Sequence, residues 1–223
     1  MIFLGIKMKI VFTGCSYTYG SELKNIDRSR YSRLLCQSID AEEVNLAVGG
    51  SGNDAIFLRL IEYLETNNAS HVIIQLTDDH RLSIAGHNPG TFTSLNMSCS
   101  RNQMPFDLRR KISEYIYNFG KNNTEAWYRM TRYKLIMVDD YLKNKNIDYV
   151  ICVKRNDGEY GRVNNYLNDP LIPETIKEKF LPIGLDELSY GHRSQGPAKG
   201  HPIERGHELI AEALEEKLRE LYF

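Results

Sequence analysis

Lys9-Ile10-Val11-Phe12-Thr13-Gly14-Cys15-Ser16-Tyr17-Thr18-Tyr19-Gly20 is the stretch on which the reading of this chain turns. It opens as a short β-branched apolar run, the pattern of a strand buried on both faces. Gly14 breaks the run, and Ser16 sets a hydroxyl just beyond it, ahead of polar residues able to open a helix. Open α/β sheets hold their ligands at the carboxyl ends of their strands, which makes Ser16 a candidate nucleophile. The same residues also fit a plain turn, in which Gly14 bends the chain and Ser16 caps the next helix.

Outward from that stretch, apolar runs and helical periodicities alternate. A helix is predicted over Tyr31 to Ser38 and a second strand over Val44 to Val48, ending in Gly49-Gly50-Ser51-Gly52. Asn53 or Asp54 then caps a helix whose Ile56, Leu60, Ile61 and Leu64 recur at helical spacing. The third strand, Val72-Ile73-Ile74-Gln75-Leu76, runs into the polar cluster Thr77-Asp78-Asp79-His80-Arg81. Periodicity is lost from Ser83 to Pro105, and loops of that length in a compact domain are usually functional or disordered. Helices are predicted over Asp107 to Phe119 and Thr124 to Lys145, and a fourth strand over Tyr149 to Val153. Beyond it come a helix near Pro173 to Phe180, a short fifth strand over Phe180 to Ile183, and a Gly-rich approach to His201-Pro202. A strongly amphipathic final helix carries His207, Ile210, Leu214, Leu218 and Leu221 on one stripe.

Strands alternating with helices imply an α/β fold: a three-layer, doubly wound parallel sheet with right-handed crossovers. One domain spanning residues 1–223 is expected, with an insertion at about 83–120 over the sheet edge. The composition of 42% hydrophobic and 26% charged residues, at net charge −1, favours neither nucleic acid nor an anionic membrane as partner. Cys15, Cys36, Cys99 and Cys152 have neither C-x-x-C spacing nor the density of a disulfide scaffold, so a reducing, cytoplasmic setting is expected. The opening Met1 to Ile6 lacks the basic region and cleavage site of a signal peptide, Met8 is a candidate second start, and no run reaches membrane-spanning length.

In a parallel sheet all carboxyl ends share one rim. Ser16, the Gly49–Asn53 turn and Asp78–Arg81 therefore gather there, with His201 in a loop able to reach them. A hydroxyl, backbone N–H donors and an imidazole in one crevice are the parts acyl transfer needs. Gly14-Cys15-Ser16-Tyr17-Thr18-Tyr19-Gly20 resembles the GDSxTxG first block of the SGNH (GDSL-type) hydrolases. Asn45 to Asp54 resembles their second block, with Gly50 on the oxyanion glycine, and His201-Pro202 resembles the end of their DxxHP block. The nearest resemblance is to the divergent members found in bacterial and phage genomes.

The resemblance implies Ser16 as nucleophile, His201 as general base, and backbone N–H groups of Ser16 and Gly50 as oxyanion donors. It implies a flavodoxin-like sheet of order 2-1-3-4-5, no metal or organic cofactor, and ester substrates, often acetylated sugars or lipids. Three positions depart from the pattern. Cys15 replaces the aspartate beside the nucleophile, Asp78 stands where the third block has its asparagine, and Ala198 stands where the last block has its aspartate. Losing one oxyanion donor costs roughly 10²–10³ in rate, and losing the carboxylate behind the histidine about 10⁴. Asn53 is the substitute donor expected on the rim, its alternative role being a helix cap. Asp186, Glu187 or Glu204 would have to orient His201.

Arg81 and Asp78 are expected to contact substrate, with Arg81 either binding an anionic group or closing a structural salt bridge. Asp78, Asp79 and His80 read as a charged turn and not as a metal site, because no second cluster matches them. The expected function is hydrolysis of a small-molecule or glycan ester by a Ser16–His201 dyad. The alternatives are a catalytically weak or inactive protein of the same fold that binds a glycan or another subunit, and a flavodoxin-like phosphate binder. The last lacks the glycine spacing and lysine of a P-loop.

Overall fold

The computed structural model describes residues 7–79, 81–85, 92–95, 124–155, 162–195 and 200–223, with backbone alone for 82–85, 92–95 and residue 124. The helix expected over Asp107 to Phe119, most of the insertion at 83–120, His80, Cys99 and Ala198 lie outside the described residues.

The chain runs β1 (Lys9–Thr13), α1 (Ser16–Tyr19), α2 (Ile26–Ser29), α3 (Tyr31–Ser38), β2 (Glu42–Asn45), α4 (Asn53–Thr66) and β3 (His71–Leu76). It continues through β4 (Leu82–Ala85), β5 (Phe92–Leu95), α5 (Thr124–Asn144), β6 (Asp148–Val153), α6 (Val163–Asn168), α7 (Glu174–Lys177), α8 (Leu185–Leu188) and α9 (Glu204–Tyr222). Four strands form a parallel sheet in the order β2-β1-β3-β6, and β4 and β5 form a separate antiparallel pair. The expected fifth strand is a single parallel bridge from Phe180 to Ile151. Its two hydrogen bonds are Ile151 N–H to Lys179 O at 2.9 Å and Leu181 N–H to Ile151 O at 2.8 Å.

Because strand side chains alternate, one sheet feeds two cores. Val11, Val72, Ile74, Ile151 and Val153 face Ile56, Leu60 and Leu64 of α4 and Leu135, Val138 and Leu142 of α5. Ile10, Phe12, Ile73, Val150 and Cys152 face Tyr31 and Leu35 of α3 and Ile210, Leu214 and Leu218 of α9. That is the three-layer, doubly wound arrangement, with β1 and β3 at its centre.

The second strand begins at Glu42, two residues before the apolar run that predicts it. Two glutamates disfavour a strand by propensity, but Glu43 is neutralised where it stands. Arg30 Nε donates to it at 2.7 Å, and Arg33 Nε lies 3.0 Å away. The ladder then runs on past Asn45: Leu46 N–H donates to Phe12 O at 2.8 Å and Val48 N–H to Gly14 O at 3.3 Å. This carries the turn after β2 alongside the turn after β1.

Candidate active site

The turn that carries Ser16 is built from below. Gln75, fully buried in β3, accepts the Cys15 N–H at 2.9 Å and lies 3.2 Å from the Thr18 hydroxyl, which itself pairs with the Tyr31 hydroxyl at 2.7 Å. Gly14 makes the packing possible: a Cβ there would lie 2.1 Å from Thr18 Oγ1 and 2.9 Å from Gln75 Cβ. The short helix α1 closes on Gly20, whose φ of 90° suits glycine and whose N–H donates to Ser16 O at 3.1 Å. Cys15 points into the core, as expected for a small hydrophobe, and Ser16 is left half-buried at the rim.

His201 arrives from 185 residues away, with Nε2 2.7 Å from Ser16 Oγ. Its loop is fastened on both sides: Ser194 N–H donates to His201 O at 2.8 Å and Ile203 N–H to His192 O at 2.9 Å. Gly200, at φ 87°, turns the chain just before it. The Tyr17 ring packs 5.3 Å from the imidazole, centroid to centroid. The Tyr17 hydroxyl lies between the Gly200 carbonyl, at 2.7 Å, and Asp186 Oδ1. Burial and the neighbouring Asp186 push its titration far above the ordinary phenol range, so Tyr17 remains a donor with one proton for two acceptors.

Asp186 reaches the site through the Tyr17 hydroxyl. Its Oδ2 accepts from Arg155 Nε at 2.6 Å, Arg193 lies 3.4 Å from Oδ1, and Arg193 also donates to the Asp186 carbonyl. Glu204 is directed to the Lys24 N–H at 3.4 Å, and Glu187 lies beside Gly184 and the Arg155 backbone.

On the neighbouring turn Gly50 adopts φ 83°, a conformation that glycine takes without strain. Its N–H makes no hydrogen bond among the described residues. Asn53 behaves differently from either role expected of it. Gly52 is the cap residue of α4, and Asn53, 3% exposed, turns inward across the sheet end. Its Oδ1 accepts the Thr77 N–H at 2.9 Å, and its amide nitrogen is 3.2 Å from Thr77 O and 3.0 Å from Asp79 Oδ1. With its donors engaged inside the protein, Asn53 is not the replacement oxyanion donor, and that expectation is corrected.

Asp78 and Arg81 meet at 3.3 Å, so the ion pair considered for Arg81 is formed. Two cations outside that turn join it: Arg162 Nη1 at 3.0 Å from Asp78 Oδ1 and Lys154 Nζ at 3.5 Å from Oδ2. Lys154 Nζ also stands 5.7 Å from the centre of the Tyr17 ring. Behind Asp78, Asp79 is buried against Asn53 and the Tyr166 hydroxyl, and burial raises its carboxyl to about 6. Among the described residues no group of three or more histidines, cysteines or acids is placed to hold a metal ion. Likewise, no described helix is long and apolar enough to cross a membrane.

No protein-family profile matches the chain, and no curated protein matches its sequence. Solved structures do. TesA superposes with a TM-score of 0.59 at 12% identity, over 96% of this chain and 99% of its own. The psychrotrophic esterase EstA from Pseudoalteromonas sp. gives 0.55 at 13% identity, over 95% and 97%. A mutant of the esterase AlinE4 gives 0.53 at 17% identity, over 97% of both chains. The chain has the SGNH-hydrolase fold.

On the SGNH fold the departures from the family pattern take physical form. Asp78, where the resemblance places the third-block asparagine, is a carboxylate holding cations, and the carboxylate hydrogen-bonded to Tyr17 comes from α8. Sequence reasoning missed Tyr17, Gln75, Lys154, Arg155, Arg162 and Arg193. Two of these carry a visible signal: Gln75 is the one polar residue between apolar neighbours in a buried strand, and Tyr17 adjoins Ser16. Lys154 and Arg155 follow a predicted strand and so belong to the rim, but Arg162 and Arg193 lie where periodicity gives no placement.

Proposed function

We propose that this chain is a serine hydrolase that cleaves an ester by acyl transfer through Ser16 and His201. The observation that carries the reading is the 2.7 Å approach of His201 Nε2 to Ser16 Oγ at the carboxyl rim of a parallel sheet. In the tautomer protonated on Nδ1, Nε2 accepts the Ser16 proton as Oγ attacks the ester carbonyl. The oxyanion lies against the N–H groups of Ser16 and Gly50. The imidazolium then protonates the departing alcohol, and the same ring activates the water that frees the acid and regenerates Ser16. Tyr17 and Asp186 act as positioning residues: the phenol braces the Gly200 carbonyl and the imidazole face, and the carboxylate holds the phenol. The substrate class is a small-molecule or glycan ester.

Ser16→Ala tests this directly. Turnover of p-nitrophenyl acetate is expected to fall by about 10³-fold or more, with the fold unchanged by circular dichroism. Equal hydrolysis by variant and wild type would remove Ser16 from the reaction. A second reading, a non-catalytic protein that binds a glycan or another subunit, is favoured by the withdrawal of Asn53 and the carboxylate at Asp78. The two readings separate on a fluorophosphonate probe, which labels Ser16 of the hydrolase and leaves the binding protein unmodified.

A further inference from the structure

A chain of net charge −1 concentrates cations at one edge of its candidate site. Leu76 of β3 pairs with Val153 of β6, so the residues that follow, Asp78 and Lys154, emerge side by side at the rim that carries Ser16. Three cations share the single carboxylate of Asp78: Arg162 at 3.0 Å, Arg81 at 3.3 Å and Lys154 at 3.5 Å. Among the described residues, the acids beside these three cations are Asp78 and the buried Asp79. Asp79 stands behind, its Oδ1 engaged by Asn53 and Tyr166. Next to this group, Arg155 and Arg193 both face Asp186, with Glu187 beside the Arg155 backbone.

The cations are held and only partly exposed, with side-chain exposures of 13% for Lys154 and 14% for Arg162. Arg162 Nε is buried without a hydrogen-bond partner among the described residues. Such groups keep much of their field, because solvent screens them less than surface lysines. They are also connected to the reacting groups: Lys154 Nζ stands 5.7 Å from the Tyr17 ring, which lies 5.3 Å from the ring of His201.

We propose that Lys154, Arg162 and Arg81 form a subsite for an anionic group, a carboxylate or phosphate, carried by the ester that Ser16 cleaves. The inference rests on the hydrolase reading for the word "ester" and deepens it by naming a substrate class. Guanidinium and ammonium groups gathered at one point suit oxyanion recognition, and Asp78 keeps them from dispersing when the subsite is empty.

The test uses two esters that differ in one charge, p-nitrophenyl acetate and mono-p-nitrophenyl succinate, with the full chain and its Lys154→Gln and Arg162→Gln variants. The wild type is expected to favour the succinyl ester by about tenfold or more in kcat/KM, with the preference shrinking as salt rises. Each variant is expected to bring the ratio towards one. Equal cleavage of both esters by the wild type would overturn the subsite and leave the hydrolase standing. If neither ester is cleaved, calorimetric titration with inorganic phosphate and with succinate decides. Binding that both variants lose keeps the subsite although the hydrolase reading falls, and the better-bound anion identifies the source. Absence of binding to either sinks it. Circular dichroism of each variant separates lost binding from lost folding, and the two substitutions on separate segments guard against one of them failing to fold.

Discussion

Two turns leave the same rim from adjacent strands, and they are held mainly by different means. The turn after β1, Gly14 to Gly20, is fixed at its base by uncharged groups, with Tyr17 alone reaching a carboxylate, Asp186: Gln75 accepts from Cys15, Thr18 pairs with Tyr31, and the Tyr31 N–H donates to His207 Nδ1 at 3.1 Å. The turn after β3, Thr77 to Arg81, is fixed by charge, with Asp78 among three cations and Asp79 buried behind it. Neutral hydrogen bonds in a dry interior are directional and indifferent to salt. Ion pairs at a rim tolerate looser geometry and respond to ionic strength. The lesson is one of division: the first turn sets where Ser16 Oγ stands, and the second sets which charges surround it.

The largest effect on the first turn is expected at Gly14. A Cβ there would lie 2.1 Å from Thr18 Oγ1 and 2.9 Å from Gln75 Cβ, so Gly14→Ala must displace the groups that brace the serine. A loss of about 3 kcal/mol or more is expected in urea unfolding, because overpacking here also breaks buried hydrogen bonds. Unchanged stability would show that the turn is looser than its contacts imply.

The two turns should next respond to acid with opposite signs. Burial lowers His207, behind the first turn, from 6.5 to about 4 and raises Asp79, behind the second, from 3.8 to about 6. Between pH 6.5 and 4 the unfolded chain binds a proton at His207 and the folded chain does not, so this stability is lost as pH falls. Between pH 6 and 3.8 the folded chain binds a proton at Asp79 and the unfolded one does not, so stability is gained as pH falls. Each window is worth roughly 2–3 kcal/mol by linkage. Urea unfolding at pH 7 and pH 4 reads both. His207→Asn is expected to gain on the wild type as pH drops, and Asp79→Asn to lose on it. Parallel trends for the two variants would refute the contrast.

What the sequence makes legible follows the same division. The central strands are apolar runs that declare themselves, and a parallel sheet then forces Ser16, the Gly50 turn and Asp78 onto one rim. His201 is placed by its position just before a strongly periodic helix. What stays hidden is the destination of side chains whose partners lie on other elements. Asn53 reads as a rim donor or a cap, yet Thr77 and Asp79 of the neighbouring strand end draw it inward. Glu42 and Glu43 read as too polar for a strand until Lys9 is brought to the first and Arg30 and Arg33 to the second. Arg162 and Arg193 follow no periodicity, and only the folded connections deliver them to Asp78 and Asp186. Local pattern marks the scaffold; long-range charge pairing leaves no local pattern to read.

The smallest expected effect tests the charged turn most sharply. Asp78→Asn keeps the size of the side chain and an acceptor oxygen while removing one negative charge from among Arg81, Lys154 and Arg162. If these cations serve only to tie the turn down, the variant loses stability and cleaves acetyl and succinyl esters in the wild-type ratio. If they bind the anionic end of a substrate, the positive field there grows. A unit charge at partly screened distances then shifts the succinyl-over-acetyl ratio upward by about fivefold. Stability and selectivity would move in opposite directions within one variant, which a purely structural salt bridge has no means of producing. A ratio that stays level or falls would assign Asp78 to scaffolding and leave Ser16 and His201 to act without help from the second turn.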